Sequence, residues 1–189
     1  MAAAFREGQL RLRPRGVAVL EVAIGGQSLR VADPDWTDAL DATFAAQPPG
    51  QRWNPPGVEC LYLNGDHATA RANVERLYAG LPYGPEDLEP ATAPVLIEVT
   101  IPNGVAADAY TPAGLTSFGL PVTYPVDGDR APIGHSVCQP LGQSALDAGL
   151  DGVDARSAVE GGDRELAWFP KGRTPAADPP VPFDDWWYE

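Results

Sequence analysis

GQRWNPPG, residues 50–57, sets an arginine, a tryptophan and an asparagine side by side, with Gly50 in front and Pro55, Pro56 and Gly57 behind. Proline fixes φ, and glycine reaches backbone conformations closed to other residues, so the segment reads as a braced loop between regular elements. Trp53 is expected to anchor that loop in the core, and Asn54 to shape the turn before the two prolines. Arg52 is then a cation held in a rigid setting, within a chain whose formal net charge is -13.

The flanking sequence alternates short apolar runs with turn signals, as expected of a chain with Gly 20 and Pro 21 among its residues. Upstream, RGVAVLEVAIGG predicts a strand over Val17–Ile24 closed by a Gly-Gly turn, and QSLRVADP a second short strand ending before Pro34. DPDWTDALDATFAA predicts a helical turn or two opened by Asp35 as N-cap. Downstream, VECLYL is a short strand. GDHATARANVERLYAG is the clearest helix, with Asp66 as N-cap and Gly80 just past its end.

Two stripes run along that helix. Val74, Leu77, Tyr78 and Leu81 recur at helical spacing as a candidate buried face. Ala68, Ala72, Glu75 and Ala79 lie beside it, and a lone carboxylate in a row of alanines has little cover and can face a cavity. VLIEVTI (95–101) is a strong strand, followed by a loop-rich stretch. QPLGQSALDAGLDG is a short helix ended by Gly149. A loop carrying Ser157 follows, then a strand near Leu166–Phe169. Without a regular βαβ rhythm, the expected class is α+β with a small central sheet.

Composition narrows the function. A chain of 189 residues, 44% hydrophobic, suits one globular domain. The acidic balance argues against nucleic acid as a partner, yet leaves room for a small anionic ligand held by a few focused arginines. Cys60 and Cys138 form no C-x-x-C pair and no larger framework, and are expected as unpaired thiols in a reducing cytoplasm. No signal-peptide core and no run of membrane-spanning length is visible, so a cytoplasmic protein with no membrane contact is expected. His67 and His135 show no metal-ligand spacing, so no metal site is expected. The Pro-rich, acidic and aromatic end, FDDWWYE, is expected to dock back on the domain, because adjacent tryptophans left in water are a liability.

Taken together, GQRWNPPG, CLYL, the helix with ANVERL, GLDGVDARSAVEGGDRELAWFP and the earlier LRVADPDW resemble the RES domain, a family named for an arginine, a glutamate and a serine. The resemblance divides the chain into an N-terminal extension (1–28), the RES domain (29–170) and a C-terminal tail (171–189). It implies a toxin of a bacterial toxin–antitoxin pair, with a fold similar to ADP-ribosyltransferase toxins. NAD+ would be its substrate, with no further cofactor, and water or inorganic phosphate would take the ADP-ribosyl group. It also implies a helix-turn-helix (Xre-type) antitoxin that covers the active site. Carried over by motif, Arg52, Glu75 and Ser157 are the naming residues, Tyr62 an active-site tyrosine, and Arg30 an arginine of the N-terminal motif. Alternatives to NAD+ degradation are an ADP-ribosyltransferase acting on a protein, and a non-catalytic module that keeps only the antitoxin-binding surface.

The chemistry fits these residue types. Cleaving the nicotinamide–ribose bond builds positive charge on the ribose, which a carboxylate such as Glu75 can stabilise. Arginine grips a pyrophosphate bidentately, a role for Arg52 and Arg30. Tyr62 can stack on a base, and Ser157 can donate a hydrogen bond to a phosphate or ribose oxygen. It has no neighbouring histidine to make it a nucleophile. Taken singly, each has an ordinary reading: Arg52 as an ion-paired loop residue, Tyr62 as core, Glu75 as a solvated helix residue and Ser157 as a turn residue.

Overall fold

The computed structural model describes residues 10–11 and 19–188. Val17 and Ala18, assigned above to the first strand, lie outside the described residues, as does most of the N-terminal extension. The strands are β1 (Leu10–Arg11), β2 (Val19–Ala32), β3 (Leu61–Asn64), β4 (Val95–Ala109), β5 (Gly152–Arg156), β6 (Arg164–Trp168) and β7 (Ala176–Ala177). The helices are α1 (His67–Tyr78), α2 (Pro112–Ser117), α3 (His135–Asp147) and α4 (Phe183–Trp187).

Five strands run in the order β2-β3-β6-β5-β4, and a further pairing of β2 with β4 closes them into a small barrel. All of its pairings are antiparallel except β4 with β5. The mixed organisation of helices around a small central sheet is therefore the one expected, with the sheet closed on itself. Closure removes the open edges that a short sheet would otherwise expose.

Period-two alternation on β3 and β6 sorts their side chains between two environments. Leu61, Leu63, Leu166 and Trp168 join Ile97, Val99 and Ile101 in one core. Tyr62 and Ala167 turn to the other face, against a second core containing Trp53, Phe118, Tyr124, Leu150 and Phe169. A third core joins Ala70 and Val74 of α1 to Leu96 and to Phe183 and Trp186 of the tail.

The tail docks as expected. Trp186 is 1% exposed. Its indole N–H donates to the Pro94 carbonyl at 3.1 Å, and its own carbonyl accepts from Arg71 at 2.8 Å. Val181 exchanges backbone hydrogen bonds with Leu96, laying the chain along β4 before α4.

Several boundaries differ from the sequence reading, each for a local reason. The Gly25-Gly26 pair is a bulge and not a turn: β2 continues through it, with the register against β4 shifting between Ile24 and Gly26. Gly25 has φ +147, and a Cβ there would meet the Asn103 side chain at 2.3 Å, so only glycine fits. β4 likewise continues past Ile101, because Pro102 falls in the unpaired part of that irregularity, where no ladder N–H is required.

The helical turns expected over Asp33–Ala46 reduce to a short 3-10 turn at Phe44–Ala46. Asp33, Asp38 and Asp41 each accept a bond from the backbone N–H two residues on, and these side-chain turns displace the helix that Asp35 was expected to cap. α3 begins at His135, four residues before the expected start, and carries Pro140 inside it. α1 matches its expected span, and Asp66 accepts from the Thr69 N–H at 2.7 Å. Its expected buried stripe splits, however: Val74 is buried while Leu77 is 64% exposed. Cys60 and Cys138 are both buried free thiols.

The tail is packed into the third core. Trp186→Ala is expected to lower stability by roughly 3–5 kcal/mol through the cavity it leaves. Tyr188→Ala, at a residue 66% exposed, is expected to change it by less than about 0.5 kcal/mol. Urea unfolding of the two variants checks the contrast.

Candidate active site

The 50–57 loop is welded to β3 by one buried amide. Asn54 is fully buried. Its Nδ2 donates to the Ala45 carbonyl at 2.7 Å and to the Val58 carbonyl at 2.8 Å, and its Oδ1 accepts from the Tyr62 hydroxyl at 2.9 Å. The same hydroxyl accepts from the Trp53 N–H at 2.7 Å. Asn54 therefore does more than shape a turn: it is the hub joining the loop's two ends to the strand.

Trp53, 1% exposed, is the core anchor expected, stacking on Phe118 with ring centroids 6.0 Å apart. α3 presses on the loop from outside at Gly142, where a Cβ would come within 1.7 Å of the Trp53 carbonyl oxygen. Gln139 of the same helix donates to the carbonyls of Pro49 and Gln51.

This brace delivers Arg52 to a cleft of about 350 Å³ between the loop, β3, β6 and α1. Such a volume is in the range of small-molecule sites. Arg30, Arg52 and Arg76 line it against two carboxylates, Asp41 and Glu165, an excess of positive charge in a strongly acidic chain. Trp36, Phe44 and Leu77 form an exposed apolar rim.

The guanidinium of Arg30 is anchored by the carbonyls of Ala39 at 3.3 Å and Tyr62 at 3.0 Å, and lies 5.5 Å from the Trp36 ring centroid. Burial lowers its pKa, though an arginine remains charged throughout the working range. Arg52 donates to the Ile133 carbonyl at 2.5 Å, which turns it toward the start of α3. There His135 also lines the cleft, and burial, then the charge of Arg52, pushes its pKa below the usual histidine value. It is accordingly neutral near pH 7.

Of the residues singled out in the sequence, the fold brings Arg30, Arg52 and Tyr62 together in the cleft. Tyr62 offers only its ring, because both hydrogen bonds of its hydroxyl are spent on the loop, and burial holds the phenol well above its ordinary pKa. Ser157 does not line the cleft. It is 3% exposed, and its Oγ accepts from the Val159 N–H at 3.3 Å, the ordinary turn reading. It shapes the loop that presents Ala158 and Val159 to the cleft.

Glu75 is also outside. Asn73, Val74, Arg76 and Leu77 form the cleft-facing side of α1. At 3.6 residues per turn Glu75 lies roughly 200° round the helix from Asn73, and it is exposed to solvent. The alanine stripe marks the side of α1 turned away from the cleft. The expectation that its lone carboxylate faces a cavity is corrected by the helix's rotation.

Besides Arg76, α1 and β6 present Asn73 and Glu165 to the cleft, two residues the sequence reading passed over. Asn73 Nδ2 donates to Glu165 Oε1 at 2.6 Å and to Asn64 Oδ1 at 2.8 Å. Asn64 and Glu165 are direct partners across the β3–β6 ladder. A signal for Glu165 existed in its alternation with Leu166 and Trp168, hidden because the strand begins at Arg164, two residues before the expected start. Among the described residues no group of three or more His, Cys, Asp or Glu is placed to hold a metal ion.

The family model of the RES domain matches residues 28–189. No curated protein matches the chain. Among solved structures, the chain is similar to one in the crystal structure of the M. tuberculosis MbcT–MbcA toxin–antitoxin complex. The two are 22% identical, with a TM-score of 0.66 and 86% of each chain covered, a likeness of fold.

The welded loop has a measurable consequence. Asn54→Ala leaves the Ala45 and Val58 carbonyls and the donated proton of the Tyr62 hydroxyl without partners, and is expected to cost about 3 kcal/mol or more. Tyr62→Phe, which strands the Trp53 N–H and Asn54 Oδ1 but keeps the ring, is expected to cost about 1–3 kcal/mol. Denaturant midpoints at unchanged m-value check both.

Proposed function

We propose that this chain, which belongs to the RES domain family, is the toxin of a toxin–antitoxin pair and consumes NAD+ by cleaving its nicotinamide–ribose bond. The observation that carries the reading is the cleft itself: Arg30, Arg52 and Arg76 gathered in an acidic chain beside Trp36, Phe44 and Tyr62. A dinucleotide is a doubly charged pyrophosphate between two flat rings. Guanidinium groups match the first and aromatic faces the second.

Both inner arginines are held by backbone carbonyls, so little side-chain freedom remains to be lost when an anion arrives. Neutral His135 beside Arg52 adds a hydrogen-bonding group there without competing charge. Ser157 takes no part as a nucleophile in this reading, being buried in its own turn. NAD+ is a substrate here and no other cofactor is invoked.

The bond broken joins the nicotinamide ring nitrogen to the ribose. Its electron pair leaves with nicotinamide, which becomes neutral, and the ribosyl carbon is captured by water or inorganic phosphate. The fold likeness to a toxin solved with its antitoxin supports a protein partner seated over the mouth. Phe44, Leu77 and Leu81, at 57%, 64% and 47% exposure, are apolar surface that such a partner would cover. The partner proposed is a helix-turn-helix antitoxin, and the setting proposed is the cytoplasm, where NAD+ is available.

Purified protein freed of partner is expected to release nicotinamide from NAD+, with ADP-ribose as product in phosphate-free buffer and ADP-ribose 1″-phosphate where phosphate is the acceptor. A folded, partner-free protein that leaves NAD+ intact in both buffers overturns the reading. Arg52→Lys is expected to lower kcat/KM by about 10–100-fold, because an ammonium cannot reproduce the fork. Glu75→Ala, at a solvent-facing position, is expected to leave turnover unchanged.

A further inference from the structure

Cleaving a glycosidic bond through a ribosyl cation calls for a carboxylate beside the sugar. This inference rests on the NAD+ reading above and asks which carboxylate it is. The cleft contains two, Asp41 and Glu165. Asp41 is exposed, and its Oδ1 is committed to the backbone N–H and the hydroxyl of Thr43, at 2.8 and 2.6 Å. It belongs to its own turn.

Glu165 is different. It stands on β6, in the wall of the barrel, partly buried, on the cleft side of a strand whose other face is packed with Leu166 and Trp168. Its Oε1 accepts from Asn73 Nδ2 at 2.6 Å. Asn73 is fixed in turn by Asn64 Oδ1, and Asn64 by the Leu29 carbonyl at 3.2 Å, so the chain of amides runs back into β2. Among the described residues nothing hydrogen bonds Oε2, which is left for a ligand. Arg30 and Tyr62 line the same cleft.

We propose that Glu165, set in place by Asn73, is the catalytic carboxylate of this cleft, meeting the positive charge that develops on the ribose as nicotinamide leaves. The strand carries the charge and the helix carries the amide that aims it. As the carbon–nitrogen bond breaks, its electron pair goes to nicotinamide, and the ribosyl cation is held against Glu165. A water molecule then forms the new carbon–oxygen bond, and the proton it gives up passes to Glu165 and on to solvent. Asn73 donates to the carboxylate throughout and is a positioning residue.

The experiment follows NAD+ loss and nicotinamide release for the full chain and its variants, with melting temperatures alongside. Glu165→Gln keeps the side chain's shape and an oxygen for Asn73 but removes the charge. It is expected to lower kcat by roughly 100-fold or more, with KM within a few-fold of wild type and an unchanged melting temperature. Glu165→Asn alone is expected to be equally poor.

Because the two side chains touch, the exchange Asn73→Glu with Glu165→Asn puts a carboxylate on the helix, still facing the same amide-lined pocket. It is expected to recover at least about tenfold over Glu165→Asn, a rescue that a merely structural pair would not show. Wild-type turnover in Glu165→Gln, from a protein that does consume NAD+, overturns this assignment and leaves the parent reading standing. Loss of activity accompanied by a lower melting temperature and no rescue in the exchange overturns it as well. A wild-type protein inert toward NAD+ overturns the parent reading, and this assignment with it.

Discussion

The side chain of Asn54 is the constraint on which the rest of the site depends. A fully buried amide must find partners for its donors and acceptor or cost several kcal/mol. Here those partners are the carbonyls at the two ends of the 50–57 region and the hydroxyl of Tyr62 on β3. The loop cannot move without breaking all of them together. Trp53 is pinned on one side and Arg52 projects on the other, so one polar hub fixes both the core anchor and the cation. Tyr62 serves the hub with its hydroxyl and the cleft with its ring.

Electrostatics follow from that geometry. A chain of net charge -13 repels anions at a distance, yet a cleft needs only a local majority of cations. Arg30 and Arg52 are held by backbone carbonyls and not by carboxylates, so their charge is oriented without being neutralised. By contrast, Arg164 is paired with Asp154 and Arg173 with Asp151.

How much of this was legible depends on how local each signal is. The N-cap of α1 at Asp66, the burial of Trp53 and the docking of the aromatic tail follow from side-chain chemistry that acts over a few residues or on burial alone. The bulge at Gly25-Gly26 was misread because a Gly-Gly pair signals a turn equally well, and pairing with β4, some seventy-five residues away, selects between them. The helix expected over Asp33–Ala46 lost to aspartate side chains that bond their own backbone. Glu75 and Ser157 were carried by motif, and a motif says which residues recur without saying which way a side chain turns.

Sequence alone was sufficient for the family, the mixed α and β class and the braced loop, because those rest on local backbone preference and on residue types in a fixed order. It could not say which face of α1 meets the cleft. Alanine or apolar residues stand on more than one side of that helix, and only packing against β3, the tail and the 157–163 loop sets the rotation. That rotation turns Glu75 to solvent and Asn73 inward. It brings Asn73 to Glu165 across 92 residues of chain, a pairing that no spacing within either segment encodes.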